Sequence, residues 1–459
     1  MANLPYPVIV VPGITATYLR DEYSLPPDFP WTVLTKKYER IALHPDDLRF
    51  ESAEPARVQP DQLYEIAYKE LIEELRHNLS PKIDQPVPVY PFGYDWRQPL
   101  EVVEAKLEAF IDEVIDRTKL LRHYDASGYA NDARVNLVGH SMGGLVIAGT
   151  IERMARTGTA QQKIGKVASL ASPFKGSFEA VIKIATGTAN LGGDVPSSRE
   201  REAARLTPSL YHLFPSIKDQ AAIHIDPILP QTSLFDPALI QPSVLETISE
   251  FIRLNGLNKK DKTVQAKNLL TTMLDQARSH RDRIEQFQLQ DAGLTSYDWL
   301  AVVGVGSVTR VKMAIKSDRG KPLYELSSSD RTNGWTHKIA QDDSDPQAEA
   351  ARRLTGDGTV PFEGAVPGFL SLENLVCVSP KDYGYWEIQD KVLTEKAGFH
   401  GILPNMNMLH RLLVTHFQKR RGDRNRTHYK NIWGRPAPGV TENAWDPAIA
   451  GLNAKDGDD

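Results

Sequence analysis

The chain has 459 residues, 41% hydrophobic and 25% charged, with a net charge of −5 and a single cysteine, Cys377. That length and apolar content allow a large core in one elaborated domain or two. The mild negative charge sets nucleic acid aside as a partner, and one cysteine excludes an internal disulfide framework.

No stretch approaches the roughly 20 apolar residues of a membrane span. The first basic residue, Arg20, follows the first apolar run, which ends at Pro12-Gly13, so the charged start and apolar core of a leader are both missing. The expected compartment is cytoplasmic, with leaderless export left open.

In chain order, "PYPVIVVPG" (Pro5 to Gly13) reads as a short strand buried on both faces, because continuous β-branched residues suit a parallel sheet. Gln85 to Arg97, Ala133 to Gly139, Ile164 to Pro173, Tyr297 to Gly306 and Leu372 to Ser379 read the same way. Helical spacing joins Leu63, Ala67, Leu71 and Leu75 behind Asp61, and Leu100, Val103, Leu107, Phe110 and Val114 behind Pro99. Strand and helix alternate, which predicts a mostly parallel, doubly wound α/β sheet.

Two stretches interrupt the alternation. Thr15 to Pro60, rich in proline and aromatics, and Ser177 to Gly293 both read as insertions above the sheet, where lids and substrate walls form. The second holds a glycine-rich piece, Thr186 to Gly193, and a helix face of Val244, Ile248, Phe251 and Ile252. The expected layout is a core of residues 1–176 and 294–421, a lid-like insertion 15–60, a cap 177–293 and a loosely attached tail 422–459. Val311 to Leu326 reads as a hairpin closed at Asp318-Arg319-Gly320.

The most informative stretch is Gly139-His140-Ser141-Met142-Gly143, between a strand and a helix. This is the nucleophile elbow, in which a strained turn exposes the serine oxygen at the carboxyl edge of the sheet. Glycine is required at Gly139 and Gly143 because neighbouring chain passes too close for a Cβ. A serine needs a base, and the base an orienting acid, in the chain order serine, acid, histidine. His400, in a loop after the last strand, is the expected base. His410 and His416 fall on a helix face, and His428 lies in the tail. Asp357, in "TGDGTVP", is the expected acid, with a simple Asx turn as its alternative role. Asp298, at the start of its strand, faces the wrong end of the sheet, and Asp382 and Asp390, after the last strand, read as surface charges. An oxyanion hole should come from the backbone amides of Met142 and Ile14, with a one-residue slip to Thr15 left open.

These pieces resemble α/β-hydrolases of the lecithin:cholesterol acyltransferase and lysosomal phospholipase A2 type. The resemblance rests on "VIVVPGI", "FGYDWR" (Phe92 to Arg97), "GHSMGG", "ASPFKGS", "TPSLYHLFPS", "GVGSVT" and above all "GDGTVP". It implies Ser141, Asp357 and His400 as the triad, and Thr15 to Pro60 as the lipid-contacting lid. The chain departs from the animal enzymes in lacking the cysteines that pin the lid. "YDWR" reads as structural, with Asp95 and Arg97 pinning the strand to neighbouring loops.

The expected activity is hydrolysis of lipid-like carboxylic esters through an acyl-serine. Acyl transfer to an alcohol and an inactive binding scaffold are the alternatives. Tyr18, Phe29, Trp31, Phe251 and Ile252 serve either an acyl site or ordinary cap packing. No cofactor or metal is expected, since no His/Cys/Asp cluster has ligand spacing. The expected partners are a lipid or ester substrate and, through the basic run Lys419 to Arg426, transient contact with a membrane surface.

Overall fold

A strand without polar alternation is stable only if both of its faces are covered. The computed structural model describes residues 4–32, 34–45, 58–187, 198–217, 222–335, 346–384, 387–418 and 434–449. Six such strands form one sheet: β1 (Val8–Val11), β2 (Val89–Pro91), β3 (Val135–His140), β4 (Ile164–Leu170), β5 (Trp299–Gly304) and β6 (Leu375–Val378). Their order is β6-β5-β4-β3-β1-β2, and every pairing is parallel.

Strand side chains alternate between two apolar layers, as a two-residue period requires. Ile9, Val11, Leu137, Val167, Ala301 and Cys377 join the layer formed with helices α2 (Leu100–Lys119) and α3 (Met142–Arg156). Val8, Val10, Val138, Leu170, Val302 and Val376 join the other, with α1 (Glu65–Leu79) and α6 (Asn407–Gln418). The helix foreseen from Val244 is α4 (Pro242–Asn255), with Val244, Ile248 and Ile252 buried. After it, α5 (Lys262–Gln286) packs on α4 and α3 within the long connection from β4 to β5. Glu104 of α2 meets His280 of α5 at 2.8 Å, and Arg283 of α5 meets Glu152 of α3 at 2.6 Å. Much of the second insertion is therefore continuous with the core layer.

Several expectations change at this level. The strand foreseen over Gln85 to Arg97 is confined to Val89–Pro91, and "FGYDWR" after it is irregular chain. Leu63 ends an antiparallel strand, Val58–Leu63, and α1 begins only at Glu65, so its buried stripe runs through Tyr68, Leu71, Leu75 and Leu79. The hairpin forms as Met313–Asp318 and Lys321–Glu325, with Arg319 and Gly320 both at positive φ in the turn, and Ile223–Ile225 from the second insertion adds a parallel third strand. A loose tail does not describe 434–449. Trp445 is buried with its indole N–H on the Leu375 carbonyl, and Arg435 and Cys377 exchange backbone hydrogen bonds, so this segment covers the exposed side of edge strand β6. The glycine-rich piece beyond Gly187, Lys419 to Arg426 and His428 lie outside the described residues.

His416 is buried on α6, its two ring nitrogens 3.0 Å from the carbonyls of Ala448 and Val167. Burial and the Lys166 charge pull its imidazole down to about 4, against the effect of those carbonyls. In the unfolded chain the same imidazole takes a proton near pH 6.5. Between those values the unfolded state binds the extra proton, so stability falls as pH drops from about 6.5 toward 4. Urea melts at pH 7 and pH 5 should show this loss, and His416→Gln should flatten the slope. Equal slopes in both proteins would remove His416 as the cause.

Among the described residues, no helix is long and apolar enough to cross a membrane.

Candidate active site

The register brings Val11, Gly139 and Ser169 side by side, followed by Leu170 beside Val302 and Val378 beside Gly304, so these strands end along one carboxyl edge. Ser141 lies just past that edge, between β3 and α3, with φ 54° and ψ −129°. A non-glycine residue there is strained, and the surroundings must hold it. They do so by close approach: a Cβ at Gly143 would lie 2.2 Å from the Val11 carbonyl oxygen, and one at Gly139 would lie 2.7 Å from the Gly144 nitrogen. The Ser141 amide also donates to the Leu170 carbonyl at 2.9 Å.

The structure brings the three residues of the expected triad together. His400 Nε2 is 2.9 Å from Ser141 Oγ, and His400 Nδ1 is 2.7 Å from Asp357 Oδ2. All three are buried. A carboxylate only accepts, so Nδ1 carries the proton and the Nε2 lone pair faces the serine hydroxyl. Asp357 Oδ1 accepts the amides of Thr359 and Val360, closing an Asx turn, while Oδ2 lies against the imidazole. It approaches the end of β5 because Gly304 has no Cβ, which would meet the Asp357 Cβ at 2.5 Å. His400 occupies a helical turn, Phe399–Ile402, rather than the expected loop, and its amide donates to the Asp357 carbonyl at 3.2 Å.

The other candidates serve structure. Asp298 accepts from Thr295 at the amino end of β5. Asp382 is no free surface charge, since it accepts from the Ser379 amide and pairs with Arg435. Asp390 accepts from Asn405 at 3.3 Å. His410 is buried against the Pro404 carbonyl.

Gly13 lies against the serine: a Cβ there would be 2.9 Å from the Ser141 Cβ. Its own amide is taken by the Tyr68 hydroxyl at 2.9 Å. The Ile14 and Met142 amides are engaged by no hydrogen bond among the described residues, and Met142 opens α3 at the positive end of its dipole. Thr15 sits at φ 62°, its carbonyl held by the Trp31 indole at 2.8 Å.

His140, foreseen only as part of the elbow pattern, bonds Tyr68 through Nδ1 at 2.7 Å and the His400 carbonyl through Nε2 at 2.9 Å. Burial and the nearby His400 ring push its imidazole well below the ordinary range. Tyr68 went unnoticed in the sequence. Its place on the Leu71 and Leu75 stripe, as the one phenol among aliphatic side chains, was the available signal. Trp31 packs on Trp96, and Ile252 lies in the core.

A parallel sheet flanked by helices, with a serine elbow at its carboxyl edge and a histidine and aspartate brought in by later loops, defines the α/β-hydrolase fold. The chain belongs to the lecithin:cholesterol acyltransferase family, whose model matches residues 61–365. That places it among enzymes that hydrolyse or transfer lipid acyl esters. No curated protein matches the chain. A chain in a solved structure described as "The crystal structure of Tle4-Tli4 complex" is similar over 90% of this chain and 97% of its own, with 14% identity and a TM-score of 0.56, a likeness of fold.

Proposed function

We propose that this protein is a serine carboxylic-ester hydrolase acting on lipid-like esters through an acyl-Ser141 intermediate. The observation that carries this reading is the continuous hydrogen-bonded line from Asp357 through His400 to Ser141. Ser141 Oγ attacks the ester carbonyl as His400 Nε2 takes its proton, and the negative oxygen accepts the amides of Met142 and Ile14. Collapse breaks the ester bond, and His400 returns the proton to the leaving alcohol. Water then attacks the acyl-serine with His400 again as base, releasing the acid and restoring the hydroxyl. Asp357 holds the ring and stabilises the imidazolium without taking the proton.

A fluorophosphonate probe should label the protein, and Ser141→Ala should abolish labelling. Labelling of neither protein would favour the inactive scaffold. The family's description favours acyl transfer as a second reading, in which an alcohol replaces water. Incubation with a phospholipid and a fatty alcohol separates the two, by free acid against a new ester.

The first insertion would meet the lipid surface. Tyr23, Leu25 and Leu34 are 71%, 98% and 93% exposed on it, apolar side chains free to enter a lipid surface. Leu25→Glu with Leu34→Glu should reduce turnover of phospholipid vesicles about 30-fold, since each leucine forfeits on the order of 1 kcal/mol of apolar burial and the pair about 2 kcal/mol. Turnover of a water-soluble short-chain ester should not change. A parallel fall on both substrates would argue against surface contact.

A further inference from the structure

Two buried tyrosines hold opposite ends of one peptide group beside the serine. The Tyr94 hydroxyl donates to the Pro12 carbonyl at 2.9 Å, and the Gly13 amide donates to the Tyr68 hydroxyl at 2.9 Å. Pro12 C=O and Gly13 N–H belong to the same planar unit, so its orientation is held at both ends. The chain of bonds continues. The His400 carbonyl only accepts, so His140 Nε2 carries a proton, and in the neutral ring that burial favours Nδ1 is the acceptor. Tyr68, whose oxygen already receives the Gly13 amide, gives its own proton to that nitrogen at 2.7 Å. With that ring neutral, every donor and acceptor in the line is used, and all three side chains are buried. The low proton affinity of buried His140 keeps the line intact.

We propose that Tyr94, Tyr68 and His140 are positioning residues, a single hydrogen-bonded relay that fixes the Pro12–Gly13 peptide beneath the oxyanion loop and ties it to the main chain of His400. A flip of that peptide would turn its carbonyl toward the space occupied by Tyr68 and redirect the following Ile14 amide. The relay therefore sets the direction of one oxyanion donor and the height of the base together. It also explains why the elbow carries histidine at His140: an imidazole accepts on one side and donates on the other. Part of "FGYDWR" gains a role in the site through Tyr94, beside the scaffold role of Asp95 and Arg97.

The inference rests on the acyl-serine reading for its effect on rate, but its bonding pattern can be tested without catalysis. Nitrogen-15 NMR of the full chain should find His140 neutral with its proton on Nε2, and Tyr68→Phe should perturb the Nδ1 resonance. Tyr68→Phe and Tyr94→Phe should each lower kcat for a soluble ester about 10- to 100-fold, the scale of a small misplacement of reacting groups, with KM within about twofold. The double variant should lose little more than the worse single, because both act on one peptide. Leu75→Ala, a cavity on the same helix away from the relay, should lower the melting temperature at least as much while keeping kcat. A proton on Nδ1 of His140, or folded tyrosine variants with full kcat, would overturn the relay. A wild-type protein that fails to label with fluorophosphonate would instead overturn the acyl-serine reading, leaving the NMR result to decide the bonding.

Discussion

Replacing Ser141 or His400 with alanine is expected to lower kcat about 10⁴- to 10⁶-fold, and the double replacement is expected to cost hardly more than either single one. The reason is the shared proton: without His400 Nε2 at 2.9 Å the hydroxyl keeps it, and without the hydroxyl the imidazole has nothing to activate. Asp357→Asn should cost about 10⁴-fold by a different route. The asparagine oxygen would stay on the Thr359 and Val360 amides, which need an acceptor, leaving the amide nitrogen facing His400 Nδ1. That nitrogen only donates, so the ring proton moves to Nε2, where it faces the serine and cannot accept. Single-turnover kinetics on a chromogenic ester, with circular dichroism to verify folding, measures all four variants. Additive losses in the double variant would show that the two side chains do not act as one unit.

Asp95→Ala is expected to cost about 3–5 kcal/mol of stability, the scale for stripping the partner from a buried charge. Arg97 is fully buried. It pairs with Asp95 through Nε at 2.8 Å and Nη2 at 2.9 Å, and donates to the carbonyls of Ile41 and Val58 in the first insertion. Burial works to raise the Asp95 carboxyl, but the Arg97 charge and hydrogen bonds from Arg97 and Gln98 outweigh it and hold it below the ordinary carboxylate range. A lowered carboxyl contributes stability above its unfolded value near pH 4, and that contribution is lost as pH falls through the folded value. The Asp95 effect should thus be largest near neutrality and shrink in acid. Denaturant melts of wild type and variant at pH 7 and pH 3.5 check both statements. Limited proteolysis should cut the variant first between residues 17 and 63. A variant as stable as wild type, or a difference that grows in acid, would remove the ion pair as the clasp.

Legibility in the sequence followed the range of the interactions. Runs such as Val8–Val11 and Leu375–Val378 declare a two-sided strand because the burial pattern is local, and the order of strands and helices then constrains the sheet. Gly139, Ser141 and Gly143 declare the turn because the strain and the close approaches arise within a few residues. His400 stood out by exclusion and chain order, but its helical turn did not, since Gly398 at φ 83° starts a new turn straight after another helix. Segment 434–449 is polar and rich in proline and glycine, so its docking on β6 is carried by a few long-range contacts, Trp445 foremost.

Composition, hydrophobic period and turn chemistry thus determined by themselves a parallel sheet, a serine at its carboxyl edge, and a later aspartate and histidine to complete it. Only the tertiary structure decided which amide beside the serine is already occupied, that Tyr68 and Tyr94 grip one peptide, and that His140 touches the main chain of His400. Tyr68 lies 72 residues from His140, and His140 lies 260 from His400. No periodicity spans such separations, because hydrogen-bond partners across layers are chosen by how the layers pack, and each side chain alone is compatible with many partners.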